Sequence, residues 1–113
     1  YSPSGKLSDV TPDMAASGAE TALGLIEGRW KLVIIFHLFG SDVLRFSELE
    51  RAIPAVSQKM LIQQLRELER DGIVERTIYP QVPPKVEYSL TEWGKMMCPA
   101  LDALLEWGAA RPA

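Results

Sequence analysis

The sequence predicts a mostly helical α+β fold, on the evidence of three features. Residues 57–72 carry the start signal, apolar stripe and stop signal of one helix. A short capped helix precedes this segment, and two strand-like segments separated by prolines follow it. Helix-patterned apolar segments also lie towards both ends of the chain. In this order the elements predict a winged helix-turn-helix with additional N- and C-terminal helices.

The helix at 57–72 has a core side and a cationic side. Ser57 can cap its first free amides, and Gly72 suits the left-handed residue that ends a helix. At about 100° per residue, three leucines share one face and a polar group shares the other. The leucines are Leu61, Leu65 and Leu68, and the polar group is Lys59, Gln63, Arg66 and Arg70. On an isolated helix, a face of this kind is more often a solvated surface. Here the order of the neighbouring elements favours the interpretation that the face binds a polyanion.

The N-terminal part divides into an arm and the start of a domain. Residues 1–16 contain two prolines and little apolar periodicity, which predicts a flexible arm, with at most a short turn begun by Thr11-Pro12-Asp13, before one domain at 17–113. Ser17 and Glu20 have capping-box spacing, so a first helix is predicted from Ser17. The segment 30–40 is apolar on all sides and ends in glycine, which predicts a central core helix.

The middle of the chain predicts a helix-turn-helix. Residues 43–45 fit a short strand, and Ser47 and Glu50 form a second capping-box pattern for a helix that runs to about Ile53. Residues 54–56 then form the turn before the helix at 57–72.

The wing is predicted after that helix. Residues 73–79 and 86–90 fit two strands of a hairpin, with Lys85 at its tip. Thr91 can cap the last helical region, in which Pro99 either introduces a kink or begins a second helix.

The apolar positions of the C-terminal helical region exceed one core-facing stripe. Part of this set is therefore expected to face a second copy of the chain, although packing on the chain's own core stays open. The residues of this region predicted for the dimer interface are Met97, Leu101, Leu104 and Trp107.

Composition limits the function. The chain has 113 residues, of which 47% are hydrophobic, and a net charge of −3, which argues against bulk electrostatic coating of nucleic acid but allows a few local phosphate contacts. No apolar run reaches the roughly 20 residues that span a bilayer, so a cytoplasmic protein with no membrane association is expected.

Catalysis, metal and cofactor are not expected. One cysteine, Cys98, cannot form an internal disulfide, and with one histidine, His37, it leaves too few ligands for a His/Cys metal site. There is no glycine-rich phosphate loop and no supported nucleophile and base. His37 is interpreted as a packed core residue, with a sensing role as the alternative.

With these elements placed, the chain resembles the HxlR family of bacterial winged-helix transcriptional regulators over residues 17–107. The matching blocks are Gly28-Arg29-Trp30-Lys31, Arg45-Phe46-Ser47-Glu48-Leu49, Ser57-Gln58-Lys59-Met60-Leu61, Leu65-Arg66-Glu67-Leu68-Glu69, Asp71-Gly72-Ile73-Val74, the run from Pro83 to Thr91, and Gly94. The resemblance implies a homodimer in which the additional N- and C-terminal helices are the dimerisation helices, with Leu23 of the first helix at the interface. It also implies that the helix at 57–72, the recognition helix, enters the major groove while the wing lies on the adjacent minor groove or backbone.

Two positions depart from the family pattern. Many members carry a cysteine where this chain has Ser17, so a thiol switch is not expected here. Cys98 is interpreted as a packed hydrophobe, with an intersubunit pair as the alternative. Ile62 stands where the family often has threonine, which suggests a different base preference.

The leading hypothesis is a sequence-specific regulator, a repressor that binds double-stranded DNA at a palindromic operator. The alternative is a winged-helix module that binds an acidic protein. A small apolar effector could lodge near Phe36 and Trp93. The candidate base contacts are Gln58, Lys59, Ile62 and Gln63, and the candidate phosphate contacts are Arg45, Ser57, Arg66 and Lys85.

Overall fold

The computed structural model describes Tyr1, Gly5 and residues 7–113. The elements, in chain order, are α1 (Pro12–Ile26), α2 (Lys31–Ser41), β1 (Val43–Arg45), α3 (Phe46–Ala52), α4 (Gln58–Arg70), β2 (Val74–Tyr79), β3 (Lys85–Leu90), α5 (Glu92–Lys95) and α6 (Cys98–Ala109). The predicted α+β winged helix-turn-helix is confirmed: α3 and α4 form the helix-turn-helix, and β2 and β3 form the wing.

The core lies where α2, α3 and α4 meet the sheet. Burying a leucine or isoleucine contributes about 1.5–3 kcal/mol relative to exposure, so these elements stabilise the fold. The buried apolar residues are Ile34, Ile35, Leu38, Leu49, Ile53, Leu61, Leu65, Leu68, Ile73, Val74, Leu90 and Leu101.

The sheet is antiparallel, with the order β1-β3-β2. Residue pairs such as Leu44 with Tyr88 and Val74 with Leu90 set its register. Lys85 pairs with Tyr79 as the first residue of β3, rather than lying in the 80–84 loop at the tip. Lys85 therefore belongs to the strand, whereas the sequence predicted it at the tip of the hairpin.

Both ends of α4 form as predicted. Ser57 Oγ accepts a hydrogen bond from the Met60 amide at 3.1 Å. Gly72 has φ +79°, and the Ile73 amide donates to the Leu68 carbonyl at 2.9 Å. The left-handed glycine and this bond across the last turn end the helix.

The predicted start of the first helix at Ser17 is wrong. The helix begins at Pro12, and Thr11 Oγ1 caps it by accepting from the Met14 amide at 3.1 Å. Proline in the first turn is compatible with a helix start, and the Thr11 cap satisfies a free amide there, so the earlier signal prevails. Ser17 and Glu20 consequently lie inside α1, and part of the predicted arm is helical.

The predicted capping box at Ser47 and Glu50 is also wrong. The Arg45 amide instead donates to Glu48 Oε1 at 2.9 Å, and α3 starts two residues earlier than the box implies. The reason is that β1 pairs with β3 as far as Arg45, so the helix follows the strand without a linker.

Helix α2 does not end at Gly40, as the sequence predicted. It continues to Ser41, and Asp42 takes the positive φ of 60° while its amide donates to the Leu38 carbonyl at 3.0 Å. Aspartate is among the few non-glycine residues that tolerate positive φ. Asp42 can therefore end the helix in place of Gly40.

The C-terminal region resolves into two helices, so Pro99 begins a second helix rather than introducing a kink. Thr91 caps α5, as predicted, by accepting from the Gly94 amide at 2.9 Å. Gly94 is buried, and a Cβ there would lie 2.4 Å from the Ile73 carbonyl oxygen, so the packing requires glycine. Within the described chain, no helix is long and apolar enough to cross a membrane.

The terminal helices give the chain an extended shape. Helix α1 buries none of its residues, and α6 buries only Leu101. The radius of gyration is 16.7 Å, whereas a compact domain of this length has about 13 Å. The extents of 54 × 35 × 22 Å agree with this shape.

Candidate nucleic-acid interface

The exposed side of α4 forms a shallow depression. Its lining includes five of the eight residues that the sequence predicted for DNA binding, together with two further charged residues. The lining residues are Gln58, Lys59, Ile62, Gln63, Arg66, Glu67 and Arg70. Because Leu61, Leu65 and Leu68 bury the opposite side, the core fixes which side of α4 faces outwards.

This depression carries unopposed positive charge. Among the residues that the structure describes, Lys59 and Arg66 have no carboxylate within 4.0 Å. Arg70 Nε lies 3.3 Å from Asp71 Oδ1, and Glu67 is bound by a lysine outside the depression. Two cations are therefore free to contact phosphate.

The N-terminus of α4 is a second feature that favours anions. Ser57 is exposed there, and its Oγ already accepts the capping bond from Met60. The positive end of the helix dipole favours anions at this position. Arg45 is exposed at the start of α3.

Lys85 is more engaged than the sequence suggested. Its Nζ lies 4.9 Å from the centre of the Tyr79 ring and 3.8 Å from Glu87 Oε2. A hydrogen bond to Glu87 and its negative charge raise the pKa of Tyr79. The wing also exposes the apolar side chains of Ile78 and Val82. Its surface is consequently mixed rather than strongly basic.

The wing and α4 are held together by bonds that sequence reasoning missed. Arg76 Nε of β2 lies 3.5 Å from Glu69 Oε1 of α4. Thr91 Oγ1, at the end of β3, donates to the Gly72 carbonyl at 2.6 Å, and the Thr91 amide donates to Ile73 at 3.0 Å. The capping signal of Thr91 was visible in the sequence, but its bond to Gly72 was not. These contacts fix the wing relative to the helix.

A buried lysine also contacts α4. Lys31 Nζ lies 2.9 Å from Glu67 Oε1, and Lys31 exposes only 5% of its surface. The hydrogen bond from Lys31 is the main cause that lowers the pKa of Glu67. The one signal in the sequence was a charged residue inside an apolar segment, which did not identify its partner.

The predicted dimer residues divide into exposed and buried sets. Leu23, Leu104 and Trp107 expose 55%, 45% and 76% of their surface. Met97 is half-buried, and Leu101 is buried in the core of its own chain. Further exposed apolar side chains that were not predicted for the interface include Met14, Val33, Phe36, Trp93, Met96 and Leu105.

An apolar recess lies between α2 and α6. Its volume is about 400 Å³, and Leu32, Phe36, Leu104 and Leu105 are among its lining. Phe36 was predicted beside an effector, and it lines this recess, whereas Trp93 does not.

Cys98 and His37 do not line the depression on α4, and His37 is half-buried. Cys98 is half-buried, and its Sγ lies 3.9 Å from Asp102 Oδ2. In the described part of the chain, no group of three or more His, Cys, Asp or Glu residues could hold a metal ion.

Comparison with known proteins agrees with this architecture. The family model for HxlR-like helix-turn-helix proteins matches residues 25–112. The chain is 53% identical over 90 residues to the HTH-type transcriptional regulator YtcD of Bacillus subtilis. This alignment covers 80% of this chain and 71% of that protein. It is 48% identical over 100 residues to an HTH-type transcriptional regulator of Methanothermobacter thermautotrophicus, which covers 88% and 76%.

Solved structures give the same result. A crystal structure of the regulator ytcD aligns with a TM-score of 0.76 at 53% identity, over 80% of this chain and 92% of that chain. The oxidised form of the redox regulator HypR aligns with a TM-score of 0.74 at 46% identity, over 85% and 98%. The predicted family is confirmed. The chain belongs to the HxlR-like helix-turn-helix family, and it is a DNA-binding transcriptional regulator of the winged helix-turn-helix type.

Proposed function

We propose that the protein is a homodimeric repressor that recognises a palindromic operator through α4. The observation that carries this proposal is the exposed side of α4, where free cations and amides project from a helix that the core holds rigidly. Such a helix presents several side chains to the major groove at once.

The side chains divide into two roles. Gln58, Lys59 and Gln63 have the donors and acceptors that read base edges, and Ile62 can contact a thymine methyl group. Arg45, Ser57, Arg66 and Lys85 are assigned to phosphate contacts, which fix the register but carry no sequence information. Lys85 is expected to contribute least, because Glu87 and Tyr79 already engage its charge.

The dimer is supported by the terminal helices. Helix α1 contributes no buried side chain to its own chain but exposes Met14 and Leu23, and α6 exposes Leu104 and Trp107. An apolar surface of this kind on a small domain marks an interface. A second copy related by a two-fold axis would cover both helices and supply a second recognition helix.

Repression follows from occupancy. Two recognition helices and two wings on one stretch of promoter DNA would exclude polymerase from it. A small apolar effector in the recess between α2 and α6 would lie against the dimer helices, where it could shift the spacing of the recognition helices. We expect the protein to act in the cytoplasm, where its DNA lies.

The operator is tested by selecting bound duplexes from a random pool and footprinting the selected sequence. We expect protection of an inverted repeat whose half-sites lie about 34–36 Å apart, or a multiple of that distance, on one side of the duplex. Equal binding to a scrambled duplex of the same composition would contradict sequence-specific recognition.

The dimer is tested by measuring the mass in solution of the parent, Trp107→Glu and Trp107→Phe. The parent and Trp107→Phe should have the mass of a dimer, because both keep an aromatic apolar side chain. Trp107→Glu should shift towards the monomer, since it places a charge in the apolar interface. A monomeric mass for all three proteins would remove the dimer from the proposal.

A further inference from the structure

Lys31 is a charged residue inside the core. It lies in the first turn of α2 and exposes 5% of its surface, beside the buried residues Ile34 and Ile35. A buried ammonium group is costly unless a counter-charge bonds to it. Glu67 supplies that charge at 2.9 Å from Lys31 Nζ, across a separation of 36 residues in sequence.

Glu67 belongs to the DNA-facing depression. It is the only acid among the lining residues, and it lies one turn after Gln63 and next to Arg66. A free carboxylate at this place would repel the phosphates that Arg66 attracts. The hydrogen bond and the positive charge of Lys31, with smaller contributions from Gln63 and Arg70, lower the pKa of Glu67.

The lysine side chain has little freedom to leave this pair. A Cβ at Gly28, which has φ +145°, would lie 2.9 Å from Gln64 Oε1 and 3.2 Å from Lys31 Cδ. Gln64 is itself buried in α4, so the turn before α2 packs directly against the recognition helix. The stem of Lys31 is confined between them and leads its ammonium group to Glu67.

We propose that Lys31 is a positioning residue for DNA recognition, which acts through Glu67 and does not touch DNA. This inference rests on the proposed DNA-binding function of the α4 surface. The Lys31 ammonium group neutralises the one carboxylate of the depression and holds it against α2. Arg66 is thereby left to face the duplex without a competing negative charge.

The test is a double-mutant cycle on DNA binding. Lys31→Met, Glu67→Gln and the double variant are compared with the parent on the duplex that the parent selects, over a range of salt concentrations. Thermal unfolding of each variant identifies the temperature range in which all are folded. Lys95→Met and Glu92→Gln are the matched controls, because this exposed pair, at 3.3 Å on α5, undergoes the same charge changes.

The two single variants should change affinity in opposite directions. Lys31→Met leaves a free carboxylate facing the phosphates, so binding should weaken about tenfold at low salt and the slope of log affinity against log salt should become shallower by about one. Glu67→Gln leaves an extra positive charge, so binding should tighten and the slope should steepen by about one. The double variant should return to within about threefold of the parent, and the control variants should match the parent.

Three results would overturn the proposal. If Lys31→Met binds with the affinity and salt slope of the parent, Glu67 needs no neutralisation. If the double variant binds DNA as weakly as Lys31→Met does, then Lys31 supports the structure of α4 and does not act by neutralising the Glu67 carboxylate. If the parent selects no duplex at all, the proposed function fails, and this inference fails with it.

Discussion

Helix α4, with 13 residues, buries four side chains, whereas α1, with 15 residues, buries none. The two helices also differ in what they expose: α4 presents cations and amides, and α1 presents Met14 and Leu23. Their N-terminal caps have the same geometry, with a hydroxyl that accepts an amide at 3.1 Å in each helix. Capping therefore does not decide which helix the fold stabilises. Tertiary burial decides it: α1 has no fully buried side chain, and only Leu25 and Ile26 at its end pack partly against the core.

The largest expected effect separates the two regions by stability. Leu65→Ala should cost about 2–5 kcal/mol in the free energy of unfolding, because it removes a fully buried side chain from the core. Leu23→Ala should cost less than about 0.5 kcal/mol in the monomer, because Leu23 is exposed there. Urea unfolding, at protein concentrations that keep the chain monomeric, measures the loss in the free energy of unfolding for both variants. A comparable loss for the two variants would mean that Leu23 of α1 packs on the core of the same chain.

The capping residues allow a finer comparison. Ser57→Ala should lower the free energy of unfolding by about 1 kcal/mol, because α4 unfolds with the core. Thr11→Ala removes an equivalent bond, but it should only increase fraying of α1 in the monomer. Global unfolding and hydrogen exchange of the two helices distinguish these results. Equal global losses would contradict the division into a core helix and a helix that awaits a partner.

The smallest expected effect is the pH dependence of the Lys31–Glu67 pair. Lys31 lowers the pKa of Glu67 below its ordinary value of 4.5 in the folded state. The resulting stability is fully present above the unfolded value and is lost as the pH falls through the folded one. Glu67→Gln should remove this acid-sensitive part. Parallel stability profiles of parent and variant between neutral and acidic pH would show that the pair does not stabilise the fold.

The sequence predicted the elements whose signals are local. The cap at Ser57, the end at Gly72 and the leucine face of α4 lie within one short segment, so they could be identified without the tertiary structure. The start of α1 was misplaced because two capping patterns, at Thr11 and at Ser17, compete within six residues, and neither has tertiary packing to mark it. Local patterns cannot rank such competitors.

The contacts that complete the candidate site could not be predicted in this way. The bond between Lys31 and Glu67 joins residues 36 apart, and Thr91 reaches Gly72 across 19 residues. Lys85 was expected at the tip of the wing, but the strand register places it opposite Tyr79 and beside Glu87. Partner identity in these cases depends on how the helices and strands pack.

We expect the exposed side of α4 to read DNA sequence, and the most direct test compares two variants on two duplexes. Gln63→Ala should lose about 1–3 kcal/mol of binding free energy on the selected duplex and little on a scrambled one, so its base preference relaxes. Lys85→Ala should weaken both duplexes alike and reduce the salt slope. If Gln63→Ala lowers affinity equally on the two duplexes, or leaves both unchanged, Gln63 does not read base edges and the assignment of base contacts on α4 is contradicted.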